Sequence, residues 1–167
     1  GHGTNAVCPE TEEQLRSIVE LFPNVHWFNL RHQTNEGDHR TYAENICRQR
    51  GADIILPLDA DEIWKPEDAD QVLQRVTSDE YRGAERYRIS MQHFWRSVKW
   101  VCKDAMQPVR VVVPGGDGER YMPHGLASIN HFGYAQSPRL IDYKWKIHGH
   151  FNELRNDWFA KTFMQDP

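Results

Sequence analysis

The sequence predicts an α/β fold that begins with a strand–helix–strand unit and continues with an antiparallel, irregular second half. Within residues 25–58, a β-rich run, a helix-like stretch and an apolar run follow one another in the order of a βαβ unit. Residues 84–113 then alternate in the manner of antiparallel strands. With 167 residues, 39% hydrophobic and 26% charged, the chain is expected to form one domain with a buried core.

Residues 9–22 are predicted to form the first helix. Pro9 suits a first turn, and the acidic residues that follow it favour the positive end of the helix dipole. An apolar stripe at helical spacing completes the pattern, and it consists of Leu15, Ile18, Val19 and Phe22. Asp38 is expected to cap a second helix over residues 39–50, which Gly51 ends.

Two β-rich runs flank the second predicted helix. The run Val25–Leu30 is predicted to be a strand because aromatic and β-branched residues are frequent in it. The apolar run Asp53–Leu58 predicts a strand that is buried on both faces. Pro57 has no N–H for a ladder, so it indicates either a bulge or the end of pairing at that point.

The rest of the chain changes from a helical to a mostly β pattern. The elements expected there are a third helix over residues 66–76, strands within 84–113, a turn at 114–118, a strand pair within 119–134, a helix or irregular segment over 138–148 and a helical tail over 151–163. Pro66 suits the start of the third helix, and the glycines of the turn suit a reversal of the chain.

An acidic cluster follows the second β-rich run, at Asp59, Asp61 and Glu62. Open α/β sheets bind ligands beyond the carboxyl ends of their strands. Crowded carboxylates repel one another unless a cation joins them, and carboxylate with diphosphate oxygen is a typical ligand shell for Mg²⁺ or Mn²⁺. Because Asp59 and Asp61 point the same way in an extended segment, both are expected to address one ion. A solvated loop that caps the next helix is the plain alternative.

The segment DIILPLDADEIW (Asp53–Trp64) resembles the strand and DxD motif of family 2 glycosyltransferases with the GT-A fold. The stretch His39–Asp53 is similar to the helix that precedes this strand in the family. Ile129–His150 is similar to a C-terminal segment in which a His is followed, later, by a Lys. The resemblance covers about residues 4–150.

This resemblance implies a GT-A-like, Rossmann-like mixed sheet with flanking helices in a single domain over residues 1–167. The nucleotide and metal half would span about residues 1–64 and the acceptor-side half about residues 65–167. The usual first strand of the family would precede residue 1, so the sequence is expected to lack that strand.

The same resemblance implies transfer of a sugar, with inversion, from a nucleotide-diphosphate donor to a hydroxyl of a carbohydrate or glycoconjugate acceptor. The implied cofactor is Mn²⁺ or Mg²⁺, held by Asp61 and Asp59 with His131 completing the shell. The implied donor-binding residues are Arg40, Asn45, Asp59 and Lys144. An inverting transfer also needs a general base for the acceptor proton, and the two candidates are Asp104 and Glu62.

Two other functions stay open at this stage. A catalytically incomplete GT-A-like domain would act as a binding module, which the missing first strand favours. A metal-dependent phosphohydrolase is less favoured, because Asp-x-Asp serves phosphoryl transfer as well but lies here after the second predicted strand. Trp95, Trp100 and Trp145 are candidate platforms for a sugar ring, although a tryptophan more often packs in a core.

Charge and composition narrow the partners and the location. The net charge of −4 argues against a broad nucleic-acid surface. The three cysteines form no CxxC motif and are expected to be reduced, and neither a leader nor an apolar run of about 20 residues is visible. We therefore expect a cytoplasmic protein, with attachment to the cytoplasmic membrane face through its aromatic tail as the alternative. Association into a homo-oligomer stays open.

Overall fold

The computed structural model describes residues 11–28, 36–102, 106–147 and 157–165. The chain is a mixed α/β protein with two mixed sheets and flanking helices, and it forms two compact units, residues 40–141 and residues 1–39 with 142–167. The helices are α1 (Glu12–Val19), α2 (Glu36–Gln49), α3 (Pro66–Thr77), α4 (Pro138–Ile147) and a π-helical turn (Phe159–Phe163). The strands are β1 (Glu62–Trp64), β2 (Arg86–Arg88), β3 (Ser90–Trp95), β4 (Val101–Cys102), β5 (Val109–Val112), β6 (Glu119–Tyr121) and β7 (Ser128–Tyr134). The predicted division into halves near residue 64 stays a prediction.

Both sheets lie within residues 40–141. The four-stranded sheet has the order β1–β7–β3–β4, in which β7 and β3 run parallel and the outer strands run antiparallel to their neighbours. The three-stranded sheet has the order β5–β2–β6, with β2 antiparallel to β5 and parallel to β6. The antiparallel pairing predicted within residues 84–113 is therefore confirmed for β3 with β4 and for β2 with β5.

The expected pairing of β6 with β7 is wrong. The chain passes from β2 to β3 at Ile89 and from β6 to β7 through residues 122–127, and each later strand pairs in parallel with the corresponding earlier one. The two strand pairs thus enter two different sheets. Local alternation predicts that strands exist, but their partners depend on contacts between segments about 30 residues apart.

One buried cluster holds α3 and the strands together. It includes Val72, Val76, Tyr87, Ile89, Met91, Val111 and Ile129. Val72 and Val76 share a face of α3 because they are four residues apart. Burial of such apolar side chains stabilises the fold by about 1.5–3 kcal/mol each. The hydroxyl of buried Tyr87 donates a 2.7 Å hydrogen bond to a backbone carbonyl, so its polar atom is satisfied.

The predicted strand over Asp53–Leu58, buried on both faces, is wrong. Only Ile55 bridges to another strand, through two hydrogen bonds of 2.8 and 2.9 Å with Val112, and this bridge is antiparallel. Ile55 is buried, whereas Leu56 and Leu58 are exposed. The segment is therefore an extended edge beside β5. Its pairing stops before Pro57, which cannot donate to a ladder.

The predicted strand over Val25–Leu30 is also not formed in its described part. Residues 25–28 have no strand conformation, and Val25, Trp27 and Phe28 are exposed; residues 29 and 30 lie outside the described residues. The described residues therefore contain no βαβ unit around α2. The β-branched and aromatic composition of this run indicated a pleated, packed surface, which the described residues 25–28 do not form.

The helices agree better than the strands do with the predictions from local sequence. Thr11 caps α1 through a capping box with Gln14, so α1 begins at Glu12, three residues after the predicted start at residue 9. α2 begins at Glu36, which places Asp38 inside its first turn rather than at the cap. Gly51 follows α2 with a φ of 75°, as a helix-ending glycine does.

The later helices follow the same trend. α3 confirms the helix predicted over residues 66–76. α4 shows that the segment 138–148, predicted to be either a helix or irregular, is helical over Pro138–Ile147. The described end of the predicted helical tail is the π-helical turn, where Phe159 and Phe163 stack. None of the described helices has the length and the apolar character that a membrane crossing requires.

Candidate functional site

The acidic cluster forms a tight turn that leads into β1. The backbone N–H of Glu62 donates to the carbonyl of Asp59 at 3.0 Å, and the backbone N–H of Asp59 donates to a carboxylate oxygen of Glu62 at 3.2 Å. The carbonyl of Asp61 then accepts a 2.8 Å hydrogen bond from Phe132 of β7. Hydrogen bonds therefore close the turn and join it to β7.

Glu62 points into the protein and is held there by Arg110 of β5. The guanidinium donates through Nε to Oε2 at 2.8 Å and through Nη2 to Oε1 at 2.5 Å, which is a bidentate ion pair. Both side chains are buried. This geometry favours a structural role for Glu62 over the predicted role as a general base, because both of its carboxylate oxygens are bound and hidden from an acceptor.

Asp59 lies between two arginines. Nη2 of Arg40 approaches its two carboxylate oxygens at 2.8 and 2.9 Å, and Nη2 of Arg110 approaches Oδ2 at 2.8 Å. The repulsion expected among crowded carboxylates is therefore relieved for Asp59 and Glu62 by guanidinium groups. The predicted donor-binding residues Arg40 and Asp59 are brought into contact, and both side chains remain partly exposed.

The side chain of Asp61 approaches His131. Its Oδ1 lies 3.6 Å from Nε2 of His131, although the two residues are 70 positions apart in the sequence. β1 pairs with β7 so that Glu62 lies opposite His131. Asp61, the residue before Glu62, therefore lies close to the His131 ring. Both side chains are mostly buried, with exposed fractions of 15% for His131 and 20% for Asp61. A carboxylate oxygen and an imidazole nitrogen are thus the two protein groups that meet here.

A row of polar side chains crosses the four-stranded sheet at this level. Strand register places Glu62, His131, His93 and Cys102 directly opposite one another on successive strands. Residues that are directly opposite share a face of the sheet. Nδ1 of His93 lies 2.9 Å from Nδ1 of His131, and the two rings meet edge to face at 4.6 Å. The polar row therefore continues the Asp61–His131 contact inward to buried His93.

A bulge in β7 brings an aromatic pair to the same face. His131 pairs with His93, whereas Tyr134 pairs with Trp95, so three steps on β7 match two on β3. Tyr134 thereby returns to the face that carries His131, and their rings lie 6.3 Å apart. The Trp95 ring lies 5.5 Å from the Tyr134 ring. Of the three tryptophans considered as sugar platforms, Trp95 is the one that borders this cluster within residues 40–141.

Gly133 lies in close contact with the His131 ring. A Cβ at this position would overlap the ring, coming within 2.6 Å of Nε2, and would approach Oδ2 of Asp61 to 3.0 Å. The ring therefore packs against the backbone of the bulge, and only a residue without a Cβ leaves room for it. The side chains of Asp61 and His131 both lie close to Gly133.

The other predicted site residues are dispersed. Asn45 lies exposed on α2, and half-buried Lys144 lies on α4 in the unit formed by residues 1–39 and 142–167. Asp104 lies outside the described residues. Trp145 packs against Trp158 at 4.7 Å, and Trp100 is exposed at the β3–β4 connection.

Two functional side chains were missed by sequence reasoning, Arg110 and His93. Each had a signal. Arg110 interrupts the β-branched run Val109–Val113, and a charge inside such a run indicates a buried partner. His93 lies two residues after Met91 and shares with it the buried side of β3. A polar residue in that position needs a hydrogen bond.

The remaining arginines of the β region are paired on its surface. Arg48 contacts Glu85 at 2.6 Å and Arg86 contacts Glu44 at 3.2 Å. The hydrogen bond that Arg88 donates to the Glu119 carboxylate raises the pKa of its guanidinium above the ordinary value, although desolvation opposes the shift. Carboxylates therefore neutralise these arginines at the surface.

The donor set at Asp61 and His131 fits a divalent cation only in part. Within the part of the chain that the structure describes, no group of three or more His, Cys, Asp and Glu side chains is arranged to hold a metal ion. Two protein ligands suffice where a substrate diphosphate supplies the other oxygens, which is common for Mg²⁺. A scan of protein-family profiles, a search of curated proteins and a search of solved structures each found no match for this chain.

Proposed function

We propose that this chain is a metal-dependent glycosyltransferase with a GT-A-like arrangement, acting on a nucleotide-diphosphate sugar and a carbohydrate or glycoconjugate hydroxyl. The observation that carries the proposal is the 3.6 Å approach of Asp61 Oδ1 to His131 Nε2. It joins the second aspartate of the DxD segment to the His of the segment 129–150, the two segments that resemble the family. Nothing local in the sequence requires that meeting.

Asp61 and His131 are proposed to hold Mn²⁺ or Mg²⁺ together with diphosphate oxygens of the donor. Mixed oxygen and nitrogen ligands suit Mn²⁺ better, since Mg²⁺ prefers an all-oxygen shell. The bound cation would neutralise the charge that develops on the nucleoside diphosphate as the sugar leaves.

Arg40 and Asp59 are proposed to bind the donor beside the cation. The guanidinium of Arg40 is oriented by the contacts of its Nη2 with both carboxylate oxygens of Asp59. A planar guanidinium suits phosphate oxygens and retains its charge at any physiological pH. Asn45 is proposed to add a further donor contact, the donor-binding role of Lys144 stays a prediction, and Asp104 remains the proposed general base.

A binding module without transferase activity is the second candidate function. It is favoured by one observation, the neutralisation of Asp59 and Glu62 by Arg40 and Arg110. Carboxylates that are held by arginines support the turn without any metal. This alternative predicts binding of a carbohydrate that neither needs Mn²⁺ nor depends on Asp61.

Calorimetry with Mn²⁺ and a panel of nucleoside diphosphates tests the proposal. We expect Mn²⁺-dependent binding of at least one nucleoside diphosphate, weakened about tenfold or more in Asp61→Asn because a ligand is lost. Asp53→Asn is the matched control, since Asp53 is an exposed aspartate of the same segment and the change in charge is identical. Transfer or hydrolysis of the matching nucleotide sugar should follow the same order of variants.

The result that contradicts the proposal is equally definite. Binding that is unchanged without Mn²⁺, or equal losses in Asp61→Asn and Asp53→Asn, would remove the role assigned to the Asp61–His131 pair. Carbohydrate binding under those conditions would then support the binding-module function.

A further inference from the structure

The turn that joins β3 to β4 carries apolar side chains at its tip. Val98, Trp100 and Val101 are each more than half exposed, and Lys99 among them is exposed as well. Exposed apolar side chains that occur singly need no explanation, but three within four residues indicate a surface that meets another apolar phase. Residues 96–101 are called the hairpin tip below.

Backbone hydrogen bonds hold the hairpin tip against the four-stranded sheet. The N–H of Trp95 donates to the carbonyl of Trp100 at 2.9 Å. The N–H of Arg96 donates to the carbonyl of Tyr134 at 2.8 Å, which joins the tip to β7. The apolar side chains are therefore presented by a preformed turn, so little conformational freedom is lost when they bind.

The exposed apolar side chains of the tip lie on both faces of the sheet. Val101 pairs with Phe94, which stacks on Phe132 at 4.8 Å on one face. Because successive side chains of an extended segment alternate, the preceding Trp100 lies on the other face, with Trp95. A protein surface covers one face of a hairpin, whereas a lipid layer surrounds a tip that enters it. The arrangement on both faces therefore favours lipid, and tryptophan is itself enriched where a membrane meets water.

The charge of this region is complementary to an anionic lipid surface. Residues 89–102, which include the whole hairpin, carry Arg96 and Lys99 and no acidic residue, whereas the chain has a net charge of −4. The Lys99 ammonium can reach lipid phosphates while the apolar side chains beside it enter the acyl boundary. Since an anionic membrane repels the rest of a negatively charged chain, the local positive charge determines which end faces the membrane.

We infer that the hairpin tip docks this protein onto the surface of a membrane that contains anionic lipid. Val98, Trp100 and Val101 enter the boundary between headgroups and acyl chains, and Lys99 contacts the lipid phosphates. The contact is peripheral, because only a turn enters the lipid. It does not rest on the proposed function, since it needs neither a cation nor a nucleotide.

Sedimentation with lipid vesicles tests the inference. We expect the protein to bind vesicles of phosphatidylcholine and phosphatidylserine in equal parts, and to bind vesicles of phosphatidylcholine alone more weakly. Trp100→Ala should weaken binding to the mixed vesicles about tenfold, because the burial of an aromatic side chain is lost. The matched control is Tyr121→Ala, since Tyr121 on the edge strand β6 is 61% exposed and Trp100 is 60% exposed. We expect that control to leave binding unchanged.

Two further variants separate the charge of the tip from its insertion. Lys99→Gln should weaken binding to the mixed vesicles about fivefold. Lys65→Gln is its control, because Lys65 is an exposed lysine before α3 and the change in charge is identical. Brominated phosphatidylcholine in the mixed vesicles should quench the tryptophan fluorescence of the unmodified protein. Trp100→Phe keeps an apolar ring at the tip and should retain binding with less quenching.

Several results would overturn the inference. They are the absence of binding to the mixed vesicles, equal binding by Trp100→Ala and Tyr121→Ala, equal binding by Lys99→Gln and Lys65→Gln, and quenching that is unchanged in Trp100→Phe. A dimer in gel filtration that Trp100→Ala abolishes would overturn it as well, because a second copy would then cover the tip. Circular dichroism compares the folding of all variants. The proposed function is tested separately, since none of these measurements depends on Mn²⁺.

Discussion

Replacing Arg110 by methionine is expected to destabilise the protein severely, because Glu62 would remain as a buried carboxylate without its cation. The Glu62 side chain is 1% exposed and that of Arg110 is 8% exposed, and two hydrogen bonds of 2.8 and 2.5 Å join them. Removal of one partner from a buried pair costs about 3–5 kcal/mol. The lost contact with Asp59 adds little, since that side chain is 39% exposed and keeps Arg40.

Urea unfolding followed by circular dichroism measures this loss. With a urea dependence of about 2 kcal/mol per molar, a loss of about 4 kcal/mol lowers the midpoint by about 2 M. Such a loss is a large share of the total stability of a domain, which is typically about 5–15 kcal/mol. The matched control is Arg82→Met, whose partner is Asp79 in an ion pair with side chains 70% and 89% exposed. We expect that control to change stability by no more than about 0.5 kcal/mol.

A double variant distinguishes an unpaired charge from lost packing. Arg110→Met combined with Glu62→Leu removes both charges, and replacement of a buried pair by apolar residues is often neutral or stabilising. We expect the double variant to recover most of the loss seen in Arg110→Met. The reasoning is refuted if Arg110→Met costs less than about 1 kcal/mol or if the double variant is no more stable than the single one.

Three further predictions concern Gly133 beside the His131 ring, the core and the first helix. Gly133→Ala should push the His131 ring away from Asp61, lowering stability by about 1–3 kcal/mol and weakening Mn²⁺ binding; unchanged Mn²⁺ affinity by calorimetry would contradict this. Tyr87→Phe removes a hydrogen bond from a buried hydroxyl to a backbone carbonyl and should cost about 1 kcal/mol in urea unfolding, with a gain in stability counting against it. Thr11→Ala removes the capping box of α1 and should speed amide exchange within that helix about fivefold, for a cost of about 1 kcal/mol, while equal exchange rates would argue against the cap.

Part of the candidate site could be predicted from the sequence and part could not. The cluster at Asp59, Asp61 and Glu62 was evident, because three acidic residues directly follow an apolar run. The expectation that Asp59 and Asp61 share one ion assumed an extended segment, whereas the chain turns between Asp59 and Glu62. In that turn Asp59 and Glu62 both contact Arg110, whereas Asp61 approaches His131. The position of Arg110 decided two of those contacts, and a sequence pattern gives no distance between residues about 50 positions apart.

The β pairing was predicted least well for the same physical reason. Alternation marks strands and their inward faces, but it does not choose among partners with similar patterns. The bulge in β7 shows the consequence, because one extra residue at Gly133 turns Tyr134 to the side of His131. Only the matched register of β3 and β7 reveals that change of face.

Local sequence alone determined the helices α3 and α4, the glycine stop after α2 and the place of the acidic turn. These features depend on backbone propensities, on Pro and Gly, and on contacts within about four residues, all of which are written in consecutive letters. Tertiary structure decided which strands pair, which arginines neutralise Asp59 and Glu62, and that Asp61 meets His131 in front of His93. Those outcomes depend on burial and register between distant segments, where a shift of one residue moves a side chain to the opposite face.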